Sequence, residues 1–384
     1  MDGNIGALDF SGCDVLSWAA DTDEERFFPP AQIGQCAFLH TLNLSGCCAS
    51  TSLPAELGRC ASLQTLDLTG CQVLTSLPAE LGRCASLRTL DLTLCRALTA
   101  LPAEIGQCSD LRTLTLEGCK NLATLTLDIG LCGALRSLNL SGCVKLAVLP
   151  AEIGRCANLH TLNLTDCLVL TSVPAELGRC ASLHTLNLSW CLALTSLPAE
   201  LGRCASLQVL DLTNCTDLTC LPAEIGQCSN LRALILGMCS FTTLPGEIGL
   251  CGALRTLDLT ECGELAFLPA EIGHCAKLRT LTLEGCESLT SVPAELGRCA
   301  SLNTVNLNGC RALASVPAEL GRCGSLHALY LSGCEALKAA GLGTRSLFSS
   351  TSLALCSLCT SAPVHTAGPG HPFPLQLILT ACSK

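Results

Sequence analysis

Apolar residues recur along this chain on a twenty-four-residue beat. In Leu63-x-x-Leu66-x-Leu68, apolar and polar residues alternate, which is the period-2 signature of a short strand with one buried face. The stretch before it, Pro54 to Cys60, predicts a short helical turn. Pro is tolerated in a first helical turn, and Glu56 and Arg59 lie three apart on its outer side. The whole unit reads LPAELGRCASLQTLDLTGCQVLTS from Leu53 to Ser76. A Pro marks the same point of each copy from Pro30 to Pro317, with Thr126 in the one slot that lacks it, which makes thirteen consecutive units. Strand and turn recur in one order, so the strands must be parallel. So short and regular a period predicts a solenoid in which each unit buries its apolar side against its neighbours.

The beat divides the chain. Residues 1–29 hold half a unit, with Leu8, Phe10, Ser11, Gly12 and Cys13 matching the strand part. Trp18, the acidic run Asp21 to Glu25, and Phe27-Phe28 follow, and the segment reads as a cap over an open solenoid end. Residues 30–338 are the array. Residues 339–384 abandon the pattern, lack acidic residues, and are rich in Ser, Thr, Ala, Pro and Gly, a composition that predicts disorder.

Composition sharpens this picture at two points. The formal net charge of −10 argues against a nucleic-acid backbone as main partner, since that needs a dense basic face. The 32 Cys suggest a disulfide scaffold until their placement is read. One column runs Cys36, Cys60, Cys84 and onward to Cys323; a second runs Cys47, Cys71, Cys95 and onward to Cys334. Both fall where a repeat needs a small apolar residue, so they read as stacked, reduced, packed thiols. Cross-unit disulfides are the alternative. The start, MDGNIGALDF, lacks the basic region and apolar run of a secretory signal, and a cytoplasmic location is expected. No apolar stretch approaches bilayer length.

The motif LxxLxLxxCxxL at Leu63, Leu66, Leu68, Cys71 and Leu74 resembles the leucine-rich repeat. Its continuation LxxLPAELGxC resembles the variant of plant and algal intracellular repeat proteins, of disease-resistance proteins and of Ras-associated repeat proteins. The column of Cys60 departs from it, standing where such families usually have Leu. The resemblance implies an α/β fold: a curved horseshoe with a parallel sheet on the concave face and short helical turns on the convex face. It also implies a concave face that binds another protein.

On that face the position after the first Leu forms a modestly basic stripe, as at Arg88, Arg112 and Arg232. The position between the next two Leu residues is acidic or amide, as at Asp67, Asn163 and Asp211. Departures from the repeat say more. The residue before the second Cys is usually Gly, but it becomes Asp166, Trp190, Asn214 and Met238 in mid-array. In one unit Ile235 replaces Asp or Asn, Met238 replaces Gly, and one residue is missing before Pro245. Exposed Trp and Met beside Arg are the composition of interface hot spots. The predicted protein-binding patch is therefore Asp166, Trp190, Asp211, Asn214, Arg232, Ile235 and Met238, against the alternative of neutral drift in redundant units.

Candidate chemistry is sparse. His160 and His184 share a column but have no third ligand in register, and Cys356-x-x-Cys359 is a single pair in the tail. Glu56 and its column face Arg59 and its column as exposed ion pairs. No nucleophile–base–orienter set, phosphate loop or metal cluster emerges. The expectation is a monomeric, non-enzymatic protein-interaction scaffold in intracellular signalling or immune-type recognition. No cofactor, metal, catalytic residue, nucleic acid, membrane or small-molecule substrate is expected. The alternatives are the recognition half of a larger kinase, GTPase or ubiquitin ligase, and a secreted recognition protein with disulfides.

Overall fold

The x-Leu-x core of a typical repeat, such as Thr65-Leu66-Asp67, forms a strand of three residues, long enough to aim one Leu inward and two polar neighbours outward. The computed structural model describes residues 6–12 and 30–339. The chain divides into two units, Met1–Leu207 and Gln208–Lys384. The expected cap at residues 13–29, the tail beyond residue 339 and Cys356-x-x-Cys359 lie outside the described residues.

In the first unit the strands are β1 (Ala7–Asp9), β2 (Thr41–Asn43), β3 (Thr65–Asp67), β4 (Thr89–Asp91), β5 (Thr113–Thr115), β6 (Ser137–Asn139), β7 (Thr161–Asn163) and β8 (Thr185–Asn187). They pair in parallel and in sequence order, with Leu42, Leu66 and Leu90 in register. In the second unit β9 (Val209–Asp211), β10 (Ala233–Ile235), β11 (Thr256–Asp258), β12 (Thr280–Thr282), β13 (Thr304–Asn306) and β14 (Ala328–Tyr330) repeat the arrangement. Each unit is thus a leucine-rich-repeat solenoid: parallel strands on the face that is concave in such folds, short helical turns on the convex one. No helix among the described residues is long and apolar enough to cross a membrane.

The turns are 3-10 helices such as Ala55–Arg59, five residues long. Pro does not sit inside the first turn, as expected, but before it. Pro54 is the N-cap, extended at φ −69° and ψ 141°, close to the φ its ring enforces. Thr126, in the Pro-less slot, holds the same backbone (φ −62°, ψ 144°), and its hydroxyl accepts from the Asp128 N–H at 3.4 Å. The turns stack so tightly that a Cβ on Gly58 would lie 2.3 Å from the Glu80 carbonyl oxygen, and one on Gly249 would lie 2.3 Å from that of Glu271. Only Gly fits there. The expected Glu56–Arg59 ion pairs do not form; among the described residues the ion pair within 4.0 Å is Arg311–Glu287, at 3.3 Å.

The core behind the sheet is Leu and Cys. Leu63, Leu66, Leu68, Cys71, Leu74 and Cys60 of one repeat are each at most 3% exposed, and burial of each such Leu stabilises by about 1.5–3 kcal/mol. Among the described residues no disulfide joins the two thiol columns. The thiols are more than small apolar fillers. Cys84 Sγ donates to the Leu57 carbonyl at 3.4 Å, and that oxygen also accepts the Cys60 N–H at 3.0 Å. Cys95 Sγ donates likewise to Leu68 O at 3.2 Å, beside the Cys71 N–H at 3.1 Å. Each carbonyl thus uses one lone pair for its own repeat and the other for the next. Desolvation pushes these thiols up, Cys84 and Cys119 to about 12, so they remain protonated donors.

The one-residue deletion before Pro245 has a packing cause. Phe241, fully buried and the largest such side chain among the described residues, fills the space that a Leu reached one residue later occupies in the other repeats. The thiol links crossing it span 26 residues instead of 27, from Cys251 to Ile225 and from Cys262 to Leu236.

Candidate protein-binding surface

The seven predicted residues occupy three kinds of place. Arg232 lies just before β10 and is exposed; Asp211 and Ile235 are the last residues of β9 and β10 and are half-buried. Asp166, Trp190, Asn214 and Met238 are not on the sheet. They sit in the turn that follows each strand, with φ of 59°, 63°, 58° and 60°. Asp166 and Trp190 belong to the first unit and the other five residues to the second.

The turn geometry explains why Gly is usual at this position. Gly46, Gly70 and Gly118 have φ of 73°, 75° and 69°, the left-handed region that Gly enters without steric cost. A residue with a Cβ loses roughly 1–2 kcal/mol there, and Asn and Asp least. Leu94 and Glu261 share the strained conformation. From Asp166 to Glu261, five successive repeats forgo Gly at this point. Trp190 and Met238 remain 46% and 39% exposed, so burial does not offset their strain.

The acidic or amide stripe turns out to be a local device. Asp211 Oδ1 accepts the Thr213 N–H at 2.9 Å and its hydroxyl at 2.7 Å. Asp67, Asn139 and Asn163 accept the N–H two residues on in the same way. The stripe closes the turn after each strand as well as colouring the surface. Ile235 has no acceptor to offer at this position.

His160 and His184, in the first unit, stack with ring centroids 5.1 Å apart and planes 1° from parallel. Each Nδ1 lies 2.5 Å from a backbone carbonyl two residues earlier, that of Asn158 or Ser182. Among the described residues no group of three or more His, Cys, Asp and Glu could hold a metal ion.

A third feature was not anticipated. In the first unit an open groove of about 500 Å³, lined by Leu101, Ala103, Thr124, Leu127, Val148 and Pro150 among others, runs beside the 3-10 turns. Leu127 and Val148 are 63% and 51% exposed. The signal was present in the sequence, where LTLDIGLC from Leu125 to Cys132 replaces LPAELGRC.

A model described as leucine-rich repeat region matches residues 193–358, and one described as leucine-rich repeat matches residues 62–84. The chain has the leucine-rich-repeat fold. It is similar to a leucine-rich-repeat protein of Leptospira interrogans at 25% identity and a TM-score of 0.61, over 90% of this chain and 95% of that one. A chain of the Drosophila Toll–Spatzle complex matches at 18% identity and TM-score 0.60, over 82% of this chain and 45% of its own. A TDR receptor matches at 19% and 0.53, over 86% and 60%. The last two show the fold alone. No curated protein sequence matches. The fold is one typical of protein–protein interaction scaffolds, and bacterial and animal solenoids share it.

Proposed function

We propose that this protein is a non-enzymatic scaffold that holds a partner protein on its sheet face and on the turns that follow its strands. In this reading Asp166 and Trp190 of the first unit, and Asp211, Asn214, Arg232, Ile235 and Met238 of the second, are partner contacts. One observation carries it: Trp190 and Met238 keep exposed, strained side chains where Gly would fold better. Strain held without burial points to selection for a surface, and exposed Trp and Met are side chains that anchor interfaces. Uncrosslinked, buried thiols support a reducing, cytoplasmic setting. The likeness of LPAELGxC to plant and algal intracellular and disease-resistance repeats supports signalling or immune-type recognition.

The test replaces both residues by Gly. The Trp190→Gly, Met238→Gly double variant should melt at the same temperature or higher and capture much less partner when used as affinity bait beside the wild-type chain. Capture at full strength would leave neutral drift as the account of these positions.

A further inference from the structure

On the turn side of the array an acid holds one position in twelve of the thirteen repeats, Gln32 of the first copy being the exception; Glu56, Glu80, Glu104, Asp128 and Glu152 are the next five. The base three residues later is not kept as strictly. Arg59, Arg83 and Arg155 hold it, but Gln107 and Leu131 interrupt it. At Leu131 the base gives way to an apolar residue, and others stand nearby. Leu127 stands in the place of Ala103, Leu131 in that of Arg155, and Val148 in a place Ser holds elsewhere, as at Ser76. All three are more than half exposed. Leu127 and Val148 line one groove, and Leu131 stands at the other end of the same 3-10 turn. Glu104, Asp128 and Glu152 occupy equivalent places in adjacent turns, and no ion pair within 4.0 Å engages them among the described residues.

The same exchange recurs in the second unit. Gln227, Leu250 and His274 interrupt the basic position, while Glu224, Glu247 and Glu271 hold the acidic one. Leu250 is 65% exposed and Phe267, at the place of Val148, is 54% exposed. Twice, then, the array puts a Leu in place of a base, adds large apolar side chains where Ala or Ser is usual, and keeps the acids.

We propose that the turn side of each unit is a docking surface for a basic amphipathic segment of a partner protein. Its apolar residues would seat on Leu127, Leu131 and Val148, or on Leu250 and Phe267, and its Lys or Arg side chains would meet the unpaired carboxylates. The occupant follows from charge: an apolar strip rimmed by unpaired acids selects an apolar strip rimmed by bases and repels an acidic one. This surface is distinct from the sheet face and does not depend on it.

The test uses the full chain and a fluorescent amphipathic Leu/Lys peptide, read by anisotropy. Leu127→Ala, Leu131→Arg, Val148→Ser, Leu250→Arg and Phe267→Ser are combined in one variant. Each new residue is one the array already carries at the equivalent position, so the circular dichroism should not change. The wild-type chain should bind the peptide at least tenfold more tightly than this variant. A second variant, Glu104→Gln, Asp128→Asn, Glu152→Gln, should weaken binding and flatten its salt dependence. Failure of the wild-type chain to bind, or equal binding by the five-residue variant, overturns the proposal. So does equal binding of a Leu/Glu peptide. A dimer of the chain that sedimentation shows the five-residue variant to break would assign the surface to a second copy, and would also overturn it.

Discussion

Raising the pH should unfold this protein through its thiols. In the first unit Cys84, Cys108, Cys119, Cys132, Cys143, Cys180 and Cys191 are all 0% exposed. Burial pushes each from 9.0 to about 12. The folded state holds the proton more tightly than the unfolded chain does. The stabilisation is therefore complete below pH 9 and is lost as the pH climbs from 9 toward 12. At pH 10 an unfolded thiol is about nine-tenths ionised, which favours unfolding by about 1.4 kcal/mol. Seven such thiols together amount to about 10 kcal/mol, comparable with the roughly 5–15 kcal/mol that stabilises a typical domain. Thiolate absorbance at 240 nm and far-UV circular dichroism, followed together from pH 8 to 12, should change in one cooperative step near pH 10. A thiolate signal that titrates near pH 9 while the dichroism stays native would refute the reasoning, because it would mean that the buried columns are open to hydroxide.

Three further substitutions probe the packing. Gly106→Ala should destabilise by several kcal/mol in a urea melt, since its Cβ would lie 2.5 Å from the backbone carbonyl oxygen of Asp128. Phe241→Ala should cost about 3–5 kcal/mol by the same measure, because the side chain is fully buried where the repeat is one residue short. Thr126→Pro should raise stability by up to about 1 kcal/mol, since the backbone already has a φ of −62°, offset in part by loss of the weak bond to Asp128; a lower melting temperature would contradict this.

The parallel strands and the Leu interior were legible because both depend on residues within one unit. Leu63, Leu66 and Leu68 show their alternation locally, and stacking only repeats it. What could not be read in one unit is what one unit does to the next. The thiol of Cys95 reads as a small apolar group until Leu68 of the preceding repeat lies 3.2 Å away with a lone pair to spare. The demand for Gly58 arises from the Glu80 carbonyl, which belongs to another turn. The Gly column at Gly46, Gly70 and Gly118 did carry a readable signal, since repeated Gly after a strand marks a left-handed turn. Reading its replacements only as surface chemistry missed that they are also strained. The Asp and Asn column misled differently: its oxygens accept turn N–H groups, so part of its regularity is structural.

A repeat array makes every departure visible, but departures differ in kind, and the structure sorts them by what the new side chain gains. Phe241 gains complete burial and absorbs a deletion, so folding accounts for it. Thr126 gains a bond to the turn it opens, so folding accounts for it as well. Trp190 and Met238 gain neither, lie near half-exposed, and hold a φ that disfavours them. Leu131 and Leu250 give up a charged group for an apolar one and remain more than half in water. A single strained or exposed residue in a redundant array is cheap and expected by chance. What chance does not readily produce is the same exchange at equivalent positions in two separate units, with the neighbouring acids kept both times. Folding free energy opposes or ignores these residues. In the two readings proposed above, interaction with another protein is what selects these exposed side chains, one set on the sheet side and one on the turn side.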